Sequence, residues 1–353
     1  MPASSISKAA ILMIVIVVAS VISWEIYLRN SGLKISYDNL EPLWADKRAM
    51  VYKPSDKAVV FIGSSRIKYD LDVATWEAMT GTEAVQLACE GSNPVPVLFN
   101  LADDKSFKGS LVIDVTENLF FSPLNGNNAG RSDKVLKYFK EETPAQKASF
   151  AINHILESKF VFLDKEDLSL TAMLDKLQIP SRPGVFTLPF FPMEFTRVNF
   201  ERQAYMMPAL LTDTNLQKRV TDMWVLYGQM ASRYPPPGGD TLVRMTLERM
   251  NAVKAATDKI RARGGRVLFV RTPSSGPYLM GEQMGFPREK YWNKLLEVTG
   301  CPGIHFKDYP ALDHFICPEW SHLSPADAII FTKEFIRILQ QEKGWSFEKT
   351  SAK

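Results

Sequence analysis

The stretch AVVFIGSSR at residues 58–66 joins a wholly apolar run to a small polar turn. Val, Ile and Phe favour strands, and an apolar run without alternating polar residues is typical of a strand buried on both faces. Strands of this kind occur in parallel sheets whose two faces are covered by helices. The stretch therefore predicts an α/β fold in which Ser64 and Ser65 lie at the carboxyl end of the first strand.

The same alternation of short apolar runs and helical patterns continues along the chain. Further strands are predicted at residues 84–89, 110–116, 266–271 and 304–308. Helices are predicted at residues 73–79, 95–103, 241–263, 288–299 and 325–340. We expect a flavodoxin-like, doubly wound parallel sheet of about five strands, in which ligands bind at the carboxyl ends of the strands.

The pattern divides the chain into an N-terminal transmembrane signal-anchor (1–29), a connector (30–56), an α/β domain (57–343) and a C-terminal tail (344–353). Within the α/β domain the alternation stops at residues 119–240, which we interpret as a mostly helical insertion. Its helix-like stretches are 145–157, 168–177 and 215–233, and the run PPPGG at 235–239 closes it like a hinge. The insertion either covers the ligand site or forms a packing subdomain away from it.

Residues 9–23 contain no charged side chain, and Trp24 and Tyr27 prolong the apolar character of the N-terminus. A spanning helix needs about 20 mostly apolar residues, and aromatic residues favour the membrane interface. An uncleaved anchor is favoured, while a signal peptide cleaved after residues 21–23 is the alternative. In either case we expect the rest of the chain on the exported side of a cell membrane.

The overall composition excludes some classes of function. The 42 basic side chains barely exceed the 39 acidic ones and form no long run, which argues against a nucleic-acid partner. No zinc-ligand spacing, Walker loop or dinucleotide-binding glycine pattern is present, so we predict no metal and no cofactor. Of the three cysteines, Cys301 and Cys317 either form a disulfide or are isolated buried thiols, and Cys89 is left over.

A second polar turn precedes the last helix and contains Glu319-Trp320-Ser321-His322. A hydroxyl nucleophile needs a base that takes its proton and an acid that orients the base. Ser65, His322 and Glu319 supply these three groups if the fold brings the two turns together. Ser64 is the alternative nucleophile, and Asp313 is the alternative acid. The other histidines, His154, His305 and His314, are more simply structural or surface residues.

These motifs and their order resemble the SGNH, or GDSL-type, hydrolase superfamily over roughly residues 59–339, with the insertion outside the shared core. Gly63-Ser64-Ser65 matches that family's nucleophile turn, with Ser64 in place of its aspartate. The turn at 319–322 matches the family's last block, with Glu319 in place of its aspartate. The Gly-Ser-Ser-Arg form resembles membrane-anchored members that acylate cell-envelope polymers.

The resemblance also implies an oxyanion hole. Gly91 follows the second strand and matches the family's glycine, and the N–H group of Ser65 would be a second donor. The family's third block is replaced by DVTEN at 114–118, in which Asn118 takes the place of the family's asparagine. Asn93 is an alternative amide donor.

Two arginines lie at strand ends on the same side as the serine turn. Arg66 and Arg271 either bind an anionic polymer or acyl donor, or neutralise carboxylates. The candidate carboxylates are Glu90, Glu117 and Glu319. Three aromatic residues either stack on sugar rings or fill the core: Tyr291, Trp292 and Trp320.

The sequence thus predicts a membrane-anchored, exported serine esterase or O-acyltransferase that acts on acyl esters of envelope polysaccharide or a related polymer. A polytopic membrane acyltransferase is an expected partner. Two alternatives remain open at this point. One is a catalytically reduced scaffold or polymer-binding component of an envelope-modification complex, because the first and third blocks are altered. The other is a lysophospholipase.

Overall fold

The computed structural model describes residues 3–37, 39–54, 57–122, 130–175, 191–233 and 238–347, together with the single residues 177, 184 and 189. The chain divides into two compact units. The anchor unit consists of Met1–Asp38 and Thr143–Leu188, and the sheet unit consists of Asn39–Glu142 and Pro189–Lys353.

In the part of the sheet unit that the structure describes, five parallel strands form one sheet: β1 Ala58–Ile62, β2 Glu83–Gln86, β3 Ser110–Asp114, β6 Arg266–Arg271 and β7 Gly303–His305. Their order across the sheet is β2-β1-β3-β6-β7. The predicted five-stranded parallel sheet is confirmed. Its strand order is that of flavodoxin-like sheets, and every residue of β1 and β3 is buried.

Helices cover both faces of the sheet and enclose a separate apolar core on each side. One core is lined by α2 Glu41–Ala49, α5 Val95–Asp103, α7 Gly130–Glu141, α13 Gly239–Arg261 and α15 Lys294–Thr299. The other is lined by α3 Ser65–Asp70, α4 Val73–Thr80, α16 Pro310–Asp313 and α17 Pro325–Glu342. Further helices of this unit are α6 Glu117–Phe120, α11 Pro208–Thr212 and α14 Gly276–Gly285. The sheet is therefore doubly wound, as its apolar strands require.

Parts of two segments that were predicted to lie outside the α/β domain belong to its core. The predicted connector 30–56 contains α2, where Trp44 is fully buried and donates its indole N–H to the backbone oxygen of Leu87 at 2.9 Å. The predicted tail 344–353 contains Trp345, which is buried, and Phe347, which packs on Trp76 with ring centroids 5.4 Å apart. Neither contribution was predicted, because charged residues around these aromatics hide it in the sequence.

The predicted insertion 119–240 is not one body. Its middle part, with α8 Pro144–Glu157, α9 Lys165–Leu168 and α10 Leu170–Asp175, belongs to the anchor unit. Its last part belongs to the sheet unit and forms an antiparallel hairpin, β4 Thr196–Val198 and β5 Ala204–Met206, followed by α12 Thr214–Ser232. The hairpin was not predicted. Pro235 to Pro237 of the predicted hinge lie outside the described residues.

The three cysteines, all in described segments, are free and buried. Cys301 lies in the core on one face of the sheet, and Cys317 lies in the core on the other face. The sheet separates the two sulfurs, so the disulfide alternative was wrong and the isolated-thiol alternative describes the structure.

The anchor unit contains α1 Ala3–Asn30, in which Ser5–Asn30 is long and apolar enough to cross a membrane. None of its most apolar window is buried against the rest of the protein. This exposed apolar helix agrees with the predicted single-pass anchor at 1–29.

Candidate active site

The turn Gly63-Ser64-Ser65 connects β1 to α3 at the carboxyl edge of the sheet. A Cβ atom on Gly63 would lie 2.6 Å from the Cβ of Asp114, so glycine is required where β1 and β3 end side by side. Ser65 is the first residue of α3. Its N–H group therefore has no acceptor within the helix, since the first four N–H groups of a helix are unpaired internally.

The two serines of this turn have different surroundings. Ser64 is buried, and its hydroxyl lies 2.6 Å from Oγ1 of Thr116 and 3.4 Å from Oδ2 of Asp114. Burial raises the pKa of Asp114. Ser64 thus holds the ends of β1 and β3 together, and the structure does not support it as the alternative nucleophile.

The second turn is fixed by an unusual backbone conformation at Trp320, whose φ is +76°. Trp320 donates its N–H to the oxygen of Cys317 at 3.0 Å and accepts the N–H of Ser275 at 2.8 Å. Its ring packs on Gly276, where an added Cβ would lie 3.1 Å from the indole. Such left-handed conformations cost about 1–3 kcal/mol in non-glycine residues and persist only where surrounding contacts hold them.

The fold brings the two turns into direct contact. Nε2 of His322 lies 2.8 Å from Oγ of Ser65, and Nδ1 of His322 lies 2.8 Å from Oε1 of Glu319. The same carboxylate oxygen accepts the backbone N–H of His322 at 2.7 Å. A carboxylate accepts only, so we assign a proton to Nδ1; in the tautomer with a single ring proton, Nε2 is then the acceptor that faces the Ser65 hydroxyl.

Glu319 is fully buried and receives a further hydrogen bond from Trp224 on α12. The indole Nε1–H of Trp224 donates to Oε2 of Glu319 at 2.6 Å. The described residues thus give this carboxylate three donors, as a buried charge requires. Tyr69 stacks on the ring of His322 with centroids 4.2 Å apart. Asp70 accepts the N–H of Leu323 at 3.0 Å, which fixes the backbone just after the histidine.

The alternative acid and the other histidines do not belong to this contact network. Asp313 is exposed at the end of α16, and His314 is exposed beside it. His305 accepts the N–H of Lys307 through Nδ1, and burial, together with the charge of Arg271, lowers its pKa to about 3. His154 belongs to α8 of the anchor unit.

The predicted oxyanion donors differ in their exposure and in their hydrogen-bond partners. Gly91 is exposed and has φ of +61°, so its backbone conformation itself favours glycine. Asn118 is exposed, and its amide donates to the hydroxyl of Tyr278 at 3.4 Å. Asn93 is fully buried and donates to the backbone oxygens of Phe120 and Ser122. Because its amide hydrogens are used inside the core, Asn93 does not fit the role of an oxyanion donor.

The two arginines neutralise buried carboxylates. Arg271 is paired with Glu117 at 3.0 Å and with Glu282, and Arg66 is paired with the same Glu282. The guanidinium of Arg66 also lies over the ring of Tyr278, 5.1 Å from its centroid. Both arginines are at most 2% exposed, so the structure does not support them as substrate-binding residues.

The other carboxylates assigned to these arginines have different partners. Glu319 contacts His322 and Trp224, as described above. Glu90 pairs with Lys68 and with Arg131. Burial alone would raise the pKa of Glu90, but the charges of Lys68, Arg131 and Arg202 hold that pKa below its usual range.

Aromatic residues line the site, but they are not the ones predicted. Tyr291 and Trp292 are buried in the sheet unit, and Trp320 is held against Gly276. Beside His322 the structure places a group of partly exposed rings whose centroids are 5.1–6.4 Å apart: Phe191, Trp224, Tyr227 and Tyr278. The last part of the insertion therefore contacts the site.

Two contacts of the histidine turn, residues 319–322, were not predicted from the sequence. Tyr69 lies four residues after Ser65 in α3, and this spacing places both residues on one helix face. The position of Tyr69 beside the site could therefore have been predicted. Trp224 is separated from Glu319 by 95 residues, and no motif connects them. No family model matches the sequence, and no curated protein matches it.

Proposed function

We propose that this protein is a membrane-anchored serine esterase or O-acyltransferase of SGNH type that acts on acyl esters of cell-envelope polysaccharide or a related polymer. The observation that carries the proposal is the continuous chain of hydrogen bonds from Ser65 through His322 to Glu319. Its two side-chain links, both 2.8 Å long, lie within the range in which a base can accept a proton.

The chemistry follows from the orientation of the imidazole. As Oγ of Ser65 bonds to the ester carbonyl carbon, its proton moves to Nε2 of His322. The buried carboxylate of Glu319 stabilises the imidazolium that forms. The tetrahedral intermediate then breaks the carbon–oxygen bond to the leaving alcohol, which takes the proton from Nε2. Water or a sugar hydroxyl then gives its proton to Nε2 of His322 and attacks the acyl carbon. The Ser65 oxygen leaves and takes that proton back from Nε2.

The developing negative charge on the carbonyl oxygen needs fixed donors. The N–H of Ser65, at the first position of α3, is available for this role. We propose Gly91 and Asn118 as further donors, since each is exposed shortly after a strand of the sheet, Gly91 in the turn after β2 and Asn118 in the short helix α6 after β3. Loss of one such donor typically lowers kcat by about 10²–10³-fold.

The substrate class rests on the aromatic surface and on the anchor. Aromatic rings such as Trp224 and Tyr227 present apolar faces with polar edges, which suit sugar rings in water. The exposed apolar helix α1 would keep the protein at a membrane, where envelope polymers are modified. We further propose that the sheet unit faces the exported side and that a polytopic acyltransferase supplies the acyl group.

The full-length protein in detergent should be tested on an O-acetylated polysaccharide and on micellar lysophospholipid. We expect release of acetate, or its transfer to an added oligosaccharide, and no release of fatty acid. Ser65→Ala and His322→Ala should reduce the rate to background. Ser64→Ala is the matched control and should keep most activity, because its hydroxyl contacts Thr116 and Asp114.

Other outcomes would replace the proposal. Release of fatty acid that depends on Ser65 would identify a lysophospholipase. Polysaccharide binding without any turnover, in protein that melts cooperatively, would identify a scaffold. Turnover that survives Ser65→Ala would refute the assigned nucleophile.

A further inference from the structure

Two helices of the anchor unit expose apolar triplets to the surroundings. Each triplet has the spacing i, i+3, i+4, which places its members on one helix face. The triplets are Ile152, Ile155 and Leu156 on α8, and Leu170, Met173 and Leu174 on α10. These six side chains are 44–74% exposed, and α8 buries none of its 14 residues. Exposed apolar patches of this kind mark sites that bind a membrane or another protein.

The segment between the triplets is attached to the end of α1. The carboxylate of Glu25 accepts the backbone N–H groups of Val161 and Phe162, each at 3.0 Å. The guanidinium of Arg29 donates to the backbone oxygen of Lys159 at 2.7 Å. Residues 159–162 are therefore fixed beside the last two turns of α1.

The position of that attachment along α1 sets its depth in a membrane. The uncharged residues 9–23 precede Trp24, Glu25 and Tyr27, and the rings of Trp24 and Tyr27 are stacked and exposed. Aromatic and charged residues of a spanning helix lie at the interface rather than in the hydrocarbon core. If α1 spans the bilayer, the contacts at residues 25–29 hold residues 159–162 at the level of the lipid headgroups.

We propose that residues 144–175 lie on the membrane surface, with both apolar triplets inserted at the boundary between lipid headgroups and acyl chains. The occupant is the bilayer itself, because the segment is continuous with the spanning helix through the contacts of Glu25 and Arg29. Its charge does not favour anionic lipid, since it contains three lysines and five Asp or Glu residues. Burial of apolar side chains is therefore the source of the binding.

The test uses the full-length protein in phosphatidylcholine nanodiscs. Ile155→Cys and Leu170→Cys are each labelled with a bimane probe, which the three buried native cysteines do not take up in folded protein. Asn153→Cys is the matched control, because Asn153 is exposed and lies about 160° around the axis of α8 from Ile155. Lipids with a doxyl group on the acyl chain should quench the probes at 155 and 170, at a depth of about 5–10 Å, and should quench the control much less.

Equal quenching by lipid at positions 153 and 155 would overturn the proposal. So would probes at 155 and 170 that iodide quenches freely and lipid does not, in nanodiscs whose only other protein is the scaffold protein. That second result would instead indicate a protein partner as the occupant. Partial replacement of phosphatidylcholine by phosphatidylglycerol should leave the quenching unchanged, and a requirement for the anionic lipid would contradict the apolar origin of the binding. None of these outcomes depends on the activity of Ser65.

Discussion

Replacement of Trp224 by phenylalanine should lower the catalytic rate without removing any group that reacts. The substitution keeps an aromatic ring beside Phe191 and His322 but removes the N–H that donates to Oε2 of Glu319 at 2.6 Å. A hydrogen bond to a charged group is worth about 1.5–3 kcal/mol. Glu319 keeps its two bonds from His322, so the loss should be near the lower limit. Since about 1.4 kcal/mol corresponds to a tenfold change in rate, we expect kcat about tenfold lower.

The assay is the hydrolysis of an activated acetate ester by detergent-solubilised protein. KM should change little, because the lost bond orients the base and does not bind the ester. Tyr227→Phe is the matched control, since it lies on the same helix and keeps its ring, and its rate should stay close to wild type. A Trp224→Phe protein with unchanged kcat would refute the role of Trp224 as a positioning residue. A rise in KM alone would assign its ring to substrate binding instead.

Three further predictions concern stability and redox state. Gly63→Ala should destabilise the protein by about 1–3 kcal/mol, because the added Cβ would lie 2.6 Å from the Cβ of Asp114. Thermal unfolding should show no such loss for Gly281→Ala, because a Cβ added there meets no atom within 4 Å. Burial and the charge of Arg271 lower the pKa of His305 from 6.5 to about 3. Between these two pH values the unfolded chain binds more protons than the folded chain, so the free energy of unfolding decreases as the pH falls. Between pH 7 and pH 5 the loss should reach up to about 2 kcal/mol in urea unfolding and should shrink in His305→Gln; an equal loss in both proteins would contradict this cause. Finally, denatured, unreduced protein should titrate with three thiols, and a count of one would show that a disulfide forms.

The sheet could be predicted from the sequence because its central strands β1, β3 and β6 contain continuous apolar runs of three to five residues. Buried parallel strands produce this local pattern, and turns and helix caps separate them clearly. Ser324 illustrates this, since its side chain accepts the N–H of Asp327 and begins α17 where the sequence indicated. The pairing of Ser65 with His322 followed from parallel topology, which brings the carboxyl ends of the strands to one edge.

What could not be predicted depends on contacts between distant residues. The helix α2 contains buried Lys47 and Arg48, and their polar character suggested a connector; only the structure shows that Arg48 pairs with Asp104 at 2.8 Å. The hairpin β4–β5 has strands of three residues, too short for a periodic signal. The contact of Trp224 with Glu319 has no local signal, because it exists only after α12 packs near the histidine turn.

The proposed function requires that Ser65 is a nucleophile activated by His322. The most direct test is mass spectrometry of the peptide that contains residues 63–66 after reaction of the folded protein with a fluorophosphonate. We predict a single adduct on Ser65 at neutral pH, with almost none in His322→Ala protein that still unfolds cooperatively. An adduct on Ser64, or labelling of Ser65 at the same rate without the imidazole, would contradict the account.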